Sequence, residues 1–132
     1  MMIKLLFLFS LVSASTPSAS KVECDSVKEG VFRIPFTGEL EGEFSELERH
    51  KEYQIERVSF NDNIIRYNLK WIDNCTYLLF DRKAIQGELP FPGKTTDTLK
   101  VEIYNVSEML YEAQLSSNFS EIKMDVKVYK AE

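Results

Sequence analysis

Hydrophobic and polar residues alternate along several stretches of the chain, and the clearest of these covers residues 64–72. The apolar side of this stretch carries Ile65, Tyr67, Leu69 and Trp71. Such an alternation predicts a half-buried antiparallel strand, because successive side chains of a strand point to opposite faces. The Asp73-Asn74 pair that follows predicts a tight hairpin turn before the next apolar run, at residues 75–80.

The same period of two recurs in most of the remaining chain. The further strand-like stretches are residues 31–34, 53–58, 99–104, 109–111 and 122–129. Residues 43–57 admit a short helix, although a strand is favoured there, and residues 86–96 form the one long irregular connection because of their prolines and glycines. The chain is therefore predicted to be all-β, a single antiparallel up-and-down meander of seven or eight strands. The meander is either closed as a small lipocalin-like barrel or folded as a sandwich.

The first twenty residues have the composition of a secretory signal. One lysine precedes an apolar run at residues 5–12, and small residues follow up to residue 20. We interpret residues 1–20 as a signal peptide, with cleavage between about residues 14 and 20, because the apolar run is too short to span a bilayer. Residues 21–132 then form a single β domain, exported to the periplasm or secreted, with no membrane span in the mature chain.

The chain has two cysteines, and export would place both in an oxidising compartment. We therefore predict a structural disulfide between Cys24 and Cys75, with two free buried thiols as the alternative. The formal net charge of -5 argues against nucleic acid as a partner, because phosphate binding requires a basic surface.

No motif in the sequence predicts a catalytic, metal or cofactor site. The Gly93-Lys94-Thr95 sequence has the wrong spacing to an earlier glycine for a phosphate-binding loop. The single histidine, His50, lies in the polar stretch Arg49-His50-Lys51, which is expected to be exposed, and one histidine cannot form a histidine-based zinc site. The acidic residues from Glu39 to Glu48 are interpreted as the solvated face of a strand, although paired carboxylates could also act in glycoside hydrolysis or bind calcium.

Some of the aromatic residues are candidates to line a ligand cavity. Tyr67, Leu69 and Trp71 are the candidates to line it, because a barrel of about eight strands can enclose one small ligand. Packing in the core is the alternative role for these three residues.

Several segments resemble a group of small uncharacterised exported proteins of Gram-negative bacteria. The segment that carries most of it is residues 69–78, and its most specific part is the Trp-x-x-x-Cys-x-Tyr-x-Leu pattern that starts at Trp71. The other residues that add to the resemblance are Cys24, residues 28–32, Arg49 with Gln54 and Glu56, and residues 97–103. Some of these proteins carry the name "DNA topoisomerase IV", which does not fit a short, acidic chain without an ATPase domain. The resemblance implies structural roles for Cys24, Trp71 and Cys75 and supplies no functional residues.

Three hypotheses for function follow. The favoured one is an exported, non-enzymatic binding or interaction domain whose partner is an unknown protein or a small apolar ligand. The alternative is a carrier of a small hydrophobic ligand in a barrel cavity. A hydrolase that uses the carboxylates between Glu39 and Glu48 is the least favoured.

Overall fold

The computed structural model describes residues 22–90 and 93–131, so the predicted signal peptide at residues 1–20 lies outside the described part. The strands are β1 (Gly30–Pro35), β2 (Phe44–Arg49), β3 (Tyr53–Val58), β4 (Ile64–Asp73), β5 (Thr76–Gln86), β6 (Thr98–Val106), β7 (Leu110–Ser117) and β8 (Met124–Lys130). Each strand pairs antiparallel with the next, and β8 pairs with β1 to close a barrel. The predicted all-β meander is thus confirmed, and closure decides for the barrel over the sandwich.

The segment that admitted a helix forms β2 and β3 instead. On β2 the residues Ser45, Leu47 and Arg49 are buried, while Glu46 and Glu48 between them are more exposed. These three side chains share one face because residues two apart in a strand point to the same side. The backbone of β2 is paired on both sides, with β1 and with β3.

The barrel has one closed and one open end. Three short connections, at residues 50–52, 74–75 and 107–109, lie at the closed end together with a 3-10 turn at Asp25–Val27. Four longer connections lie at the open end, and their described residues are 36–43, 59–63, 87–90 with 93–97, and 118–123. The closed end is sealed because Val27 is fully buried against the core and Cys24 is bonded to Cys75.

The predicted disulfide between Cys24 and Cys75 is confirmed, with a distance of 5.4 Å between the two Cα atoms. It joins the chain before β1 to the β4–β5 turn. The turn itself lies one residue later than predicted, at Asn74 and Cys75, because Asp73 still pairs with Thr76 at the end of β4. The Asp73 carboxylate accepts a hydrogen bond from the Cys75 backbone N–H at 3.0 Å.

Three other boundaries differ from the sequence-based prediction. The turn predicted at residues 105–107 falls at residues 107–109, because β6 continues to Val106. β8 begins only at Met124, so Ile122 belongs to the preceding connection. Of the acidic residues from Glu39 to Glu48, the first three (Glu39, Glu41 and Glu43) lie in the β1–β2 connection, so only Glu46 and Glu48 form the outer face of a strand.

Candidate functional site

Arg49 forms the floor of the barrel interior at the closed end. It is the last residue of β2 and points inward, and only 1% of its surface is exposed. Its Nε donates to the side-chain oxygen of Gln54 at 2.8 Å, and one terminal nitrogen donates to the Val27 carbonyl at 3.0 Å. The other terminal nitrogen donates to the hydroxyl oxygens of Tyr77 and Tyr111, each at 2.8 Å.

Aromatic rings compensate the buried charge of Arg49. The guanidinium carbon lies 4.6 Å from the ring centre of Phe32 and 4.7 Å from that of Tyr77. Burial lowers the pKa of Arg49, but the electrostatic interactions and hydrogen bonds with Tyr77 and Tyr111 outweigh this effect and raise the pKa above its ordinary value. Arg49 is therefore charged at any pH at which the protein is folded, and it holds the 3-10 turn against β2, β5 and β7.

Above this floor lies a cavity of about 90 Å³, here called the barrel cavity. Its walls come from all eight strands, and most of its lining is apolar. The lining residues are Ile34, Leu47, Gln54, Glu56, Tyr67, Tyr77, Leu79, Leu99, Val101, Leu115, Val126 and Val128.

Glu56 is the one carboxylate among these lining residues. One of its oxygens accepts a hydrogen bond from the Ser45 hydroxyl at 2.8 Å, and the other accepts from the Tyr67 hydroxyl at 3.1 Å. Burial raises the pKa of Tyr67 well above its ordinary value, and the neighbouring Glu56 raises it further. Tyr67 therefore keeps its proton and donates a hydrogen bond to the Glu56 oxygen.

A bulge in β5 shapes the cavity wall near the open end. The register between β4 and β5 shifts between Arg66 and Asn68, so two residues of β5 lie opposite Tyr67. Asp81, one of the two, has a φ of 52°, which is a left-handed backbone conformation. The other, Arg82, lines a smaller cavity of about 40 Å³ next to Tyr67.

An apolar groove of about 360 Å³ lies at the open end of the barrel, between β6, β7 and the β7–β8 connection. This open-end groove is lined by Leu99, Leu115, Ser116, Ser117, Phe119, Ser120, Ile122 and Met124. Phe119 is 57% exposed, Ile122 70% and Met124 53%. Because Leu99 and Leu115 line both the groove and the barrel cavity, the two are adjacent.

The three residues proposed from the sequence to line a cavity lie at different places. Tyr67 lines the barrel cavity, whereas Leu69 and Trp71 are not among its lining residues. Leu69 is packed in the core. Trp71 lies at the closed end, where its ring centre is 4.7 Å from that of Tyr77 and 3.8 Å from the ammonium nitrogen of Lys28.

Two residues of the site, Arg49 and Glu56, were missed by sequence reasoning. The expectation that Arg49 is exposed with its polar neighbours is wrong, because β2 turns alternate residues inward up to its last position. Glu56 pairs with Leu47 and so shares its inward face, while Ile55 pairs with Glu48 on the other face of the sheet and is nevertheless buried, with 7% of its surface exposed. The available signals were the two-residue spacing of Ser45, Leu47 and Arg49 and the place of Arg49 and Glu56 among the residues that carry the resemblance, which assigned them no role.

The other candidate chemistry does not assemble in the part of the chain that the structure describes. His50 lies at the closed end, 2.7 Å from a carboxylate oxygen of Glu48 and stacked on Tyr53. The Lys94 backbone N–H, in the loop that resembled a phosphate-binding sequence, donates to the Asp97 carboxylate at 2.9 Å. Within residues 22–90 and 93–131, no group of three or more acidic, histidine or cysteine side chains is placed to hold a metal ion.

Comparisons with protein-family models, with curated proteins and with solved structures found no match. A search of the same described residues for helices that are long and apolar enough to cross a membrane also found none.

Proposed function

We propose that this protein is an exported, non-enzymatic binding domain that contacts its partner through the open-end groove. The observation that carries the proposal is the exposure of Phe119, Ile122 and Met124 around one groove of about 360 Å³. Contiguous exposed apolar side chains cost solubility unless they serve an interaction. Export is supported by the disulfide between Cys24 and Cys75, since such bonds persist mainly in oxidising compartments.

The composition of the groove favours a surface interaction. Methionine and phenylalanine are enriched in the cores of protein interfaces, and the serines between them supply hydrogen-bonding groups at the rim. Three of the groove residues, Phe119, Ser120 and Ile122, lie on the β7–β8 connection, which the barrel strands hold in place. Binding residues are often found on connections that are supported in this way.

Site-specific photo-cross-linking tests this proposal. A photoreactive aromatic side chain replaces Phe119 in one variant and Met109 in the control, since Met109 is 66% exposed but lies at the closed end. We expect a cross-linked partner from position 119 only, and we expect the added Ile122→Glu change to reduce its yield about tenfold or more. Equal cross-linking from both positions would contradict the proposal.

A carrier of a small hydrophobic ligand is the second candidate, and the contact between cavity and groove favours it. The barrel cavity alone, at about 90 Å³, is smaller than the roughly 300 Å³ of sites for drug-sized ligands. Such a ligand would therefore extend from the cavity into the groove past Leu99 and Leu115. Trp71 lies at the closed end against Tyr77, which lines the barrel cavity, so its emission would report only a ligand that reaches this end of the cavity.

A further inference from the structure

The barrel cavity has one polar wall and one apolar wall. Strands β3 and β4 contribute Gln54, Glu56 and Tyr67 to the polar side. The opposite wall is formed by β6, β7 and β8, whose contribution is apolar throughout: Leu99, Val101, Leu115, Val126 and Val128. A ligand that fits both walls has a polar group at one end and a hydrocarbon chain beside it.

The polar wall presents hydrogen-bond acceptors in excess. A carboxylate can accept about four hydrogen bonds, and Ser45 and Tyr67 supply two to Glu56. Among the residues that the structure describes, no lysine or arginine nitrogen lies within ion-pairing distance of Glu56, although lysine and arginine form three ion pairs with other carboxylates. A carboxylate in such surroundings favours a ligand that brings a positive charge and N–H donors.

Two arginines lie near the ends of the cavity, and both have other contacts. The Arg49 nitrogens donate to Gln54, Val27 and the two tyrosines at the floor. Arg82 lies towards the open end beside Asp97, since a Cβ added at Gly93 would be 2.8 Å from Arg82 Nη2 and 2.5 Å from Asp97 Oδ2. Arg82 also acts electrostatically on Tyr67, whose pKa it lowers, and the acceptor positions of Glu56 that Ser45 and Tyr67 leave open face a cavity with a largely apolar lining.

We propose that the barrel cavity binds the ammonium group of a primary alkylamine. The ammonium donates hydrogen bonds to the Glu56 carboxylate, and the alkyl chain lies against the apolar wall of β6–β8. An engineered cavity of about 150 Å³ holds benzene, so about 90 Å³ accommodates a group of roughly four non-hydrogen atoms. A propylammonium ion has this size, and a longer chain would leave the cavity past Leu99 and Leu115.

This inference rests on the proposed function in one respect, because the end of a longer chain would lie in the open-end groove. The head-group site does not depend on the groove. Short and long amines therefore separate the two ideas.

Calorimetric titration with n-propylammonium and n-octylammonium chloride is the test, with octanoate and 1-octanol as ligands of matched length. We expect both amines to bind, and octanoate and octanol to bind about tenfold more weakly than octylammonium, or worse. Glu56→Gln should weaken both amines about tenfold or more, whereas Glu46→Gln on the outer face of β2 should not. Ile122→Glu should weaken the octyl compound alone.

The outcomes separate the two proposals. Unchanged amine binding by Glu56→Gln, equal binding of octanoate and octylammonium, or no binding of propylammonium would each overturn the head-group site. If position 119 captures no partner while both amines bind, the proposed function is overturned and the head-group site is not. Should Glu56→Gln fail to fold, Leu115→Trp fills the cavity with Glu56 in place; it should abolish propylammonium binding, and unchanged binding would contradict the site.

Discussion

At the scale of single residues, the closed end depends on one arginine that has no carboxylate partner among its hydrogen bonds. Arg49 is fully enclosed, and transferring a charge out of water costs several kcal/mol unless hydrogen bonds replace the lost solvent. Its donors reach four different residues on the 3-10 turn, β3, β5 and β7. The same side chain therefore joins elements that are far apart in sequence.

Replacing Arg49 should destabilise the whole barrel. Arg49→Met keeps much of the volume but leaves the Val27 carbonyl and Gln54 without their donor, so we expect a loss of about 3 kcal/mol or more in the free energy of unfolding. Chemical denaturation measures this loss. The matched control is Arg33→Met, whose exposed side chain pairs with Glu46 on the outer surface, and its effect should stay below about 1 kcal/mol.

Similar losses for the two variants would show that Arg49 is not the main support of the closed end. If Arg49→Met only speeds the amide hydrogen exchange of Val27 and its neighbours and leaves the free energy of unfolding unchanged, Arg49 has a local role only.

Buried tyrosines make the stability depend on pH in the alkaline range. Burial raises the pKa of Tyr67 and of Tyr77 above the ordinary value of 10.0. Above that value the unfolded chain loses phenolic protons that the folded chain retains, so the free energy of unfolding falls as the pH rises. At pH values below 10.0 both hydroxyls are protonated in the folded and the unfolded chain, so they do not make the free energy of unfolding depend on pH.

Denaturant unfolding at several pH values between about 9 and 11 measures this slope. Tyr67→Phe should remove part of it. A flat profile across this range would contradict the burial of these two hydroxyls.

At the scale of elements, the alternation in the sequence predicts where the strands lie, but it does not always predict which of their residues face the barrel interior. On β4 the apolar side Ile65, Tyr67 and Leu69 faces the interior as the alternation predicts. On β3 the pattern is inverted, and Glu56 faces inward because its register with β2 places it beside Leu47. Barrel register depends on both neighbours of a strand, so an alternation read from one strand alone could not have located Glu56.

The bulge at Asp81 was equally out of reach of the sequence. An aspartate tolerates a positive φ, but nothing in residues 75–86 marks where the register with β4 shifts. Without the bulge Arg82 cannot be placed near Tyr67. The closed end shows the opposite case, because two cysteines and an N-terminal segment typical of export were enough to predict the disulfide at this end.

The connection after β5 depends on a glycine. Gly87 has a φ of +76°, and an added Cβ would collide with the Asn63 side chain, whose oxygen accepts a hydrogen bond from the Glu88 backbone N–H. We expect Gly87→Ala to lower the free energy of unfolding by about 2 kcal/mol or more, because the alanine backbone is strained and Asn63 is displaced. Gly42→Ala is the control: it has a φ of +98° and nothing within 4 Å of the added Cβ, so it should cost only the strain of about 1 kcal/mol.

Thermal or denaturant unfolding of both variants tests this difference. Equal costs would mean that Asn63 moves away freely and that the contact between the two connections adds no stability.

At the scale of the whole molecule, the barrel closes through its shortest pairing. All six residues of β1 pair with β2, but only Phe32 and Arg33 pair with β8. One further backbone hydrogen bond, from Ala131 to Val31 at 2.9 Å, extends this β1–β8 seam. Regions with few hydrogen bonds open at the lowest free energy, so we expect the barrel to open first at the seam.

A disulfide across the seam should therefore stabilise the protein more than one placed elsewhere. Arg33 and Tyr129 are direct partners on the outer face, and partners on antiparallel strands lie within the Cα distance that a disulfide spans. Arg33→Cys with Tyr129→Cys closes a loop of nearly the whole barrel, worth up to about 5 kcal/mol by chain entropy. Glu102→Cys with Gln114→Cys, a β6–β7 pair, closes a short loop and should yield up to about 3 kcal/mol.

Amide hydrogen exchange shows whether a disulfide stabilises the protein by holding the seam closed or only by reducing the entropy of the unfolded chain. If the seam is the site of first opening, its disulfide slows the exchange of β1 and β8 amides more than that of β4 and β5 amides, whereas the β6–β7 disulfide leaves the seam unchanged. Uniform slowing by both disulfides would place the weakest point elsewhere. The result also bears on the barrel cavity, because Ile34, Val126 and Val128 flank the seam and an opening there would admit water beside Glu56.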